Sequence, residues 1–350
     1  MKRTECARPN NPAIQSFRPP PVTGRRLSFL APSNRVAFHG RRSILRDSMS
    51  TPSDIVLGSF IGDALALGPH WIYDQSQIRE KLGHVTSYQA PATTYHAGKV
   101  AGDQTHYGDQ TLLLLRSIAE AGNFKLERFA SLWRDFWENT NTISYRDGAT
   151  KGTLTNLKAG ADPEAAASSL GDLAGAARIA PLFLLNWESE EQLLFAVRQE
   201  TAFTHGSPEV IETAAFFTHV VLAIRQGDGI PQALEKAAAL TWKHLPDYWL
   251  EQARESAASG EKDAAALQDH GLTCNIADAF PSVCHLLLRH PQDPATALIE
   301  NVNAGGDSAA RGMILGMTYG AAFPVSTWPG EWLSGLNARA EIEKLMAQIH

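Results

Sequence analysis

Asn303-Ala304-Gly305-Gly306-Asp307-Ser308-Ala309-Ala310-Arg311-Gly312 stands immediately before an apolar run from Met313 to Phe323. A glycine pair lets the backbone take positive φ and lets a ligand approach closely. The carboxylate and hydroxyl that follow arrive at the start of a buried helix, where they can cap free N–H groups. The same oxygens are hard donors that can hold a cation. Arg311 lies one helical turn beyond Asp307. It can pair with that carboxylate or contact an anionic ligand, and ion pairing is the expectation.

The chain on the N-terminal side reads as helix after helix. Ser53 or Asp54 caps a segment carrying Ile55, Val56, Phe60, Ile61, Ala64 and Leu65. Small residues at 58, 62 and 66 permit close helix–helix approach, and Pro69 ends the segment, leaving His70 and Trp71 on the following turn. Further helices are expected over 110–121 (ending at Gly122), 126–137, 193–202, 210–225, 231–242 and 294–302. Alternating β patterns are nearly absent. The fold class is therefore all-α, a single domain with long loops at 85–108, 138–174 and 303–311. Loops that long in a compact domain usually carry function.

Composition narrows the classes. The chain has 350 residues, 44% of them hydrophobic, and no apolar run long enough to span a membrane. Cys6, Cys274 and Cys284 form neither a disulfide framework nor a zinc motif, so an intracellular, cytoplasmic setting is expected. Residues 1–48 hold ten Lys/Arg against two acids, so the remainder carries −14 where the whole chain carries −6. An acidic domain repels phosphate, which argues against nucleic acid as a partner. The basic extension 1–48 is read as disordered. It is either a transit peptide to a mitochondrion or plastid, or upstream of a mis-assigned start, with Met49 opening the domain 49–350.

A second polar stretch lies at Lys99-Val100-Ala101-Gly102-Asp103-Gln104-Thr105-His106-Tyr107-Gly108-Asp109-Gln110-Thr111. It holds two Gly-Asp-Gln-Thr copies six residues apart, with His106 between them. Asp109 is either a plain N-cap for the apolar helix that follows, or part of a polar pocket floor with Asp103, His106 and Gln110.

Five blocks taken in order resemble the ADP-ribosylglycohydrolase family, and within it the J1-crystallin-like branch. They are Gly62-Asp63-Ala64-Leu65-Ala66, Tyr107-Gly108-Asp109-Gln110-Thr111, an altered block from Gly171 to Pro181 that keeps Arg178-Ile179-Ala180-Pro181, the Thr204-His205 pair, and Gly305-Gly306-Asp307-Ser308-Ala309-Ala310. The resemblance implies an orthogonal helical bundle with a dinuclear magnesium or manganese centre at the helix mouths. It also implies hydrolysis of the N- or O-glycosidic bond joining ADP-ribose to a side chain. The family's ligands Thr, Asp and Asp fall on Gly108, Asp109 and Gln110, and its Asp, Asp and Thr fall on Asp307, Ala309 and Ala310. An acidic residue common after the first block falls on His70.

The resemblance thus leaves Asp109 and Asp307 as metal ligands, with Gln110 and Ser308 as neutral oxygen donors. One water-rich Mg2+ or Mn2+ is the most such a set holds, and no metal at all fits equally well. Asp109, His106 and His70 are the expected catalytic groups. Tyr107, Gly108, Gln110, Gly305, Gly306, Ser308 and Arg311 are expected around the substrate, an ADP-ribosylated protein or small ADP-ribosyl conjugate. Two other readings stand beside this one: a non-catalytic J1-crystallin-like binding or structural protein, and a metal-free hydrolase of another substrate. A monomer is expected, with no membrane partner.

Overall fold

Thr51 is the N-cap of the first helix, α1 (Pro52–Ala66), two residues before the expected cap. Asp54 reaches back to accept the Thr51 backbone N–H at 2.8 Å. Pro52 suits the first helical position because its missing N–H would have had no helical partner. Twelve of the fifteen α1 residues are buried, so this helix is enclosed on all sides rather than laid on a surface.

The computed structural model describes residues 49–139, 141 and 144–349. The expectations for residues 1–48, including Cys6, lie outside the described residues. After α1 come α2 (Gln75–Leu82), α3 (His106–Ala121), α4 (Leu126–Glu138), α5 (Gly148–Lys158), α6 (Ala174–Ala177), α7 (Glu190–Thr204) and α8 (Pro208–Arg225). There follow α9 (Ile230–Ala238), α10 (Asp247–Ala258), α11 (Asp263–His270), α12 (Ile276–Arg289), α13 (Pro294–Ala304), α14 (Ser308–Ala322), α15 (Gly330–Ser334) and α16 (Arg339–Met346). Among the described residues there is no strand. Two isolated bridges, Ser168 to His205 and Asp172 to Asn275, tie loops together. The all-α expectation holds, and residues 49–350 form one compact unit. No helix among the described residues is long and apolar enough to cross a membrane.

The predicted apolar stripe of α4 is real. Phe129 and Trp133 are buried and meet Phe203 of α7 edge-on, at centroid distances of 5.5 and 5.1 Å. Such edge-to-face pairs are favoured by the aromatic quadrupole. Helix α3 ends at Gly122 with φ 70, the left-handed cap that glycine supplies at no steric cost. Two loop expectations are corrected. α5 occupies part of 138–174, and the expected loop 303–311 shrinks to Gly305, Gly306 and Asp307, because α13 runs to Ala304 and α14 begins at Ser308.

The centre of the fold is the pair α1 and α14. Gly62 faces Gly312 and Gly58 faces Gly316 so tightly that a Cβ on Gly62 would lie 2.0 Å from the Gly312 carbonyl oxygen. Helix α14 is buried at every residue but Ala322. Its N-terminal end is fixed against two other segments. The Trp71 N–H donates to Gly306 O at 2.9 Å, the Gly306 N–H donates to Ile72 O at 2.8 Å, and the Asp307 N–H donates to Leu272 O at 2.9 Å. These bonds bring the turn after α1 to the mouth of α14, and the site forms there.

Candidate active site

Trp71 has φ 64 and is the one non-glycine residue in the left-handed region among the described residues. A bulky side chain adopts that conformation only when its surroundings force it, and such positions cluster at functional sites. Its indole stacks on His70 at 4.4 Å and meets Tyr95 and Tyr145 edge-on at 4.7 and 5.1 Å. Its ring N–H donates to Asp307 Oδ2 at 3.4 Å. An aromatic wall therefore stands over a polar floor.

Asp307 is the N-cap of α14, one of the two roles that its sequence left open. The cap bond, from the Ala310 N–H to Oδ1, is long at 3.5 Å. The better bond comes from Tyr107, whose hydroxyl donates to Oδ2 at 2.9 Å. Burial raises the Asp307 carboxyl above the usual carboxylate range, and the Tyr107 hydrogen bond and the Arg311 charge pull it back only in part. His70 Nδ1 lies 4.0 Å from Asp307 Oδ1. Neither ring nitrogen of His70 has a hydrogen-bond partner among the described residues, although the side chain is fully buried. Burial, and then the neighbouring His96 and His106, hold His70 well below the usual imidazole range, hence neutral.

His106 sits at the first position of α3, whose cap is Thr105 through its hydroxyl. Its Nδ1 lies 3.2 Å from His96 Nε2, and its Nε2 lies 3.3 Å from Asp147 Oδ2. Asp147 caps α5 by accepting the Thr150 N–H at 2.6 Å. Asp172, on the bridge to Asn275, completes the acidic face. Burial, then the charges of Asp147 and Asp307, push it up to about 7.

The expected residues separate into two groups. His70, His106, Tyr107, Gly305, Gly306 and Asp307 come together. Asp109 lies one turn inside α3 and is not its cap, and both of its oxygens accept from Lys99 Nζ, at 2.8 and 2.7 Å. Gln110 turns into the core, accepting from Trp133 Nε1 at 2.7 Å and donating to His106 O at 3.1 Å. Gly108 packs on Asp63, where a Cβ would fall 2.3 Å from Oδ2. Arg311 does not pair with Asp307. Its Nε donates to Asn301 Oδ1 at 2.9 Å and its Nη2 to Gly305 O at 2.5 Å, which locks the glycine turn. Ser308 is buried, and its hydroxyl has no partner among the described residues. Asp103 faces outward to Asn337.

His96, Asp147, Asp172 and Tyr145 belong to the site and were not foreseen. Asp172 alone had a signal, since it lies inside the altered block from Gly171 to Pro181. The rest of that block is structural. Arg178 Nε donates to Glu200 Oε1 at 3.0 Å and Nη2 donates to Thr204 Oγ1 at 2.7 Å, so the third and fourth blocks lock to each other in the core.

With this geometry in place, the comparison with known proteins is direct: residues 53–350 match the ADP-ribosylglycohydrolase family. The chain belongs to the ADP-ribosylglycohydrolase family. It is 21% identical over 319 residues to crystallin J1A of Tripedalia cystophora, covering 84% of this chain and 94% of the crystallin. It is 25% identical over 303 residues to an uncharacterized protein of Archaeoglobus fulgidus, again over 84% and 94%. A solved chain described as an ADP-ribosylglycohydrolase-related protein complex superposes with a TM-score of 0.62 at 21% identity, covering 85% of this chain and 97% of that one. That likeness confirms the fold.

The dinuclear magnesium or manganese centre that the resemblance implies does not fit the donors present. A threonine at position 108 would collide with Asp63, Gln110 is committed to Trp133, and Ala309 and Ala310 offer no oxygen. A single ion on Asp109 and Asp307 would have to displace Lys99 from Asp109. A cavity of about 340 Å³ lined by Phe216, Trp242 and Arg254 shares no residue with the site. Its arginine is already tied to Glu235 and Glu251.

Proposed function

We propose that this chain hydrolyses an ADP-ribosyl or related N- or O-glycosidic bond at the cluster of His70, His106, Tyr107, Asp172 and Asp307, without the family's magnesium pair. The observation that carries the reading is the contrast between two carboxyl groups on one acidic face. Asp172 is pushed up to about 7 by burial, Asp147 and Asp307, so it holds a proton near neutral pH. Asp307 is also raised by burial, but unlike Asp172 it has Tyr107 and Trp71 donating hydrogen bonds to it and Arg311 nearby, which favour its ionised form and pull it back in part. Glycosidic cleavage needs such a division: one carboxyl donates a proton to the leaving group, and a carboxylate steadies the oxocarbenium-like centre or draws a proton from water. In this reading Asp172 takes the proton-donor role, and Asp109, expected among the catalytic groups, is left out because Lys99 occupies it. Tyr107 orients Asp307, and Trp71, Tyr95 and Tyr145, set edge-on to one another, supply an aromatic wall beside it.

The substrate would be an ADP-ribosylated protein or a small ADP-ribosyl conjugate. The test is release of free ADP-ribose from arginine-linked and serine-linked ADP-ribosyl peptides by the full chain, in the presence and absence of Mg2+. Release should not require Mg2+. It should fall as pH rises through about 7, because the Asp172 proton is then lost. Asp172→Asn should slow release roughly 10²–10⁴-fold and flatten that alkaline limb. The likeness to crystallin J1A motivates a second reading, a non-catalytic use of the same fold. Absence of release from every conjugate at every pH would favour it.

A further inference from the structure

We infer that His70, His96 and His106 form a binding site for one transition-metal dication of the zinc class. One nitrogen from each ring lies within 4.8 Å of the others, and all three side chains are fully buried. Two are already at ligand spacing. His96 Nε2 and His106 Nδ1 are 3.2 Å apart, and two nitrogens bound at about 2.0–2.1 Å to one tetrahedral ion are separated by roughly 3.3 Å. A shift of the His70 ring by about 1–1.5 Å closes the triangle to the same spacing.

The surroundings match what a ligating histidine needs. A metal-bound imidazole generally gives its other ring N–H to a carboxylate, which fixes the tautomer and the ring plane. His106 has that partner in Asp147, 3.3 Å from Nε2, and Asp147 is itself fixed by the Thr150 N–H. A plain His–His hydrogen bond pairs one nitrogen of His96 with one of His106 and leaves His96 Nδ1 without a hydrogen-bond partner among the described residues. It does not account for His70, which presents two unpartnered nitrogens inside the protein. Buried polar atoms without partners are rare because each costs the lost hydration of the group. A metal bond to His70 removes one of them.

The donor set also selects the ion. Imidazole nitrogens suit zinc, copper, nickel and iron, whereas magnesium prefers carboxylate, carbonyl and water oxygens. Three histidines with a fourth position open is the ligand count of a catalytic zinc site. Asp307, 4.0 Å from His70 Nδ1, is the carboxylate beside the cluster. The site differs from the magnesium centre expected on Asp109 and Asp307 both in place and in ligand chemistry. It shares His70 and His106 with the proposed catalytic cluster, but its test reads binding without any substrate and so fails or succeeds independently of the glycosidase reading.

The test uses the full chain, stripped of metal with a chelator and titrated with Co2+ while visible absorption is recorded. One equivalent per chain should give the intense ligand-field bands of a four- or five-coordinate ion. Zn2+ should abolish them and excess Mg2+ should leave them unchanged. His96→Ala should remove the bands, and Asp147→Asn, which keeps all three ligands, should weaken binding about 10–100-fold. Since a core histidine variant can fail to fold, X-ray absorption of the zinc-loaded wild type gives a second measurement. It should count three imidazoles, at about 2.0–2.1 Å. A titration without saturable bands, bands that persist in folded His96→Ala, or an oxygen-only shell around zinc would each overturn the assignment.

Discussion

Asp63 shows how a single buried carboxyl shapes the site from behind. It accepts the Thr105 backbone N–H at 2.7 Å and the Thr105 hydroxyl at 2.5 Å, and so sets the residue that caps α3 and presents His106. Burial outweighs both bonds and raises Asp63 to about 6. Its folded value therefore lies above the unfolded one of about 3.9, and ionising it costs the folded state. Stability from this group should increase as pH falls from about 6 toward about 4, the reverse of the usual salt-bridged aspartate. Comparing urea midpoints of the wild type and Asp63→Asn across that window isolates the effect. The wild type should gain on the variant as pH falls. At neutral pH, Asp63→Ala should cost about 1–3 kcal/mol, because the Thr105 N–H is then buried without a partner. A variant as stable as wild type would show that Thr105 finds another acceptor.

The pair α1 and α14 carries the fold at the level of elements. The two helices meet through glycine on both sides, with a Gly316 Cβ falling 1.9 Å from Gly58 O and a Gly62 Cβ falling 2.0 Å from Gly312 O. The obstacle is backbone and cannot swing away, so the helices themselves must part. Gly62→Ala or Gly316→Ala should each lose about 3 kcal/mol, at the upper end of overpacking costs, read from denaturant midpoints. Gly330→Ala, which meets nothing within 4 Å, is the control and should be close to neutral. This contact was legible in the sequence from one side, since the small residues at 58, 62 and 66 announced a close approach without naming the partner helix. Strongly periodic segments such as Leu126–Glu138 were equally legible. Helix α5 was not, because Gly148-Ala149-Thr150-Lys151-Gly152-Thr153 has weak helix propensity and reads as a loop. The same limit hid much of the site. His70, His106 and Asp307 lie beside helix starts and ends that sequence can locate. His96 and Asp172 reach the site through the packing of loops and Asp147 as the cap of α5, a helix the sequence did not announce, and two of the three carry no motif.

At the scale of the whole molecule, the site is a meeting of segments far apart in sequence. The turn after α1, the start of α3, the cap of α5, the bridge at Asp172 and the glycine turn before α14 must all be in place for it to exist. The unfolded chain cannot assemble it, so a ligand of this site binds the folded state alone and raises its stability by mass action. ADP-ribose at about 100 times its dissociation constant would add roughly 2.7 kcal/mol, a rise of a few degrees in Tm for a domain of this size. The dependence on Mg2+ distinguishes the two forms of the site. A centre on Asp109 and Asp307 would bind the pyrophosphate-bearing ligand more tightly with magnesium present. With Lys99 holding Asp109 at 2.7 Å and Gln110 turned to Trp133, Mg2+ should leave the shift unchanged. Lys99→Ala frees Asp109 and offers the reverse case, in which Mg2+ alone should begin to raise Tm. A wild-type shift that appears only with Mg2+ would show that the Lys99 pair opens to admit the ion. The absence of a shift with ADP-ribose under either condition would remove that ligand from the site and leave the fold without the family's substrate.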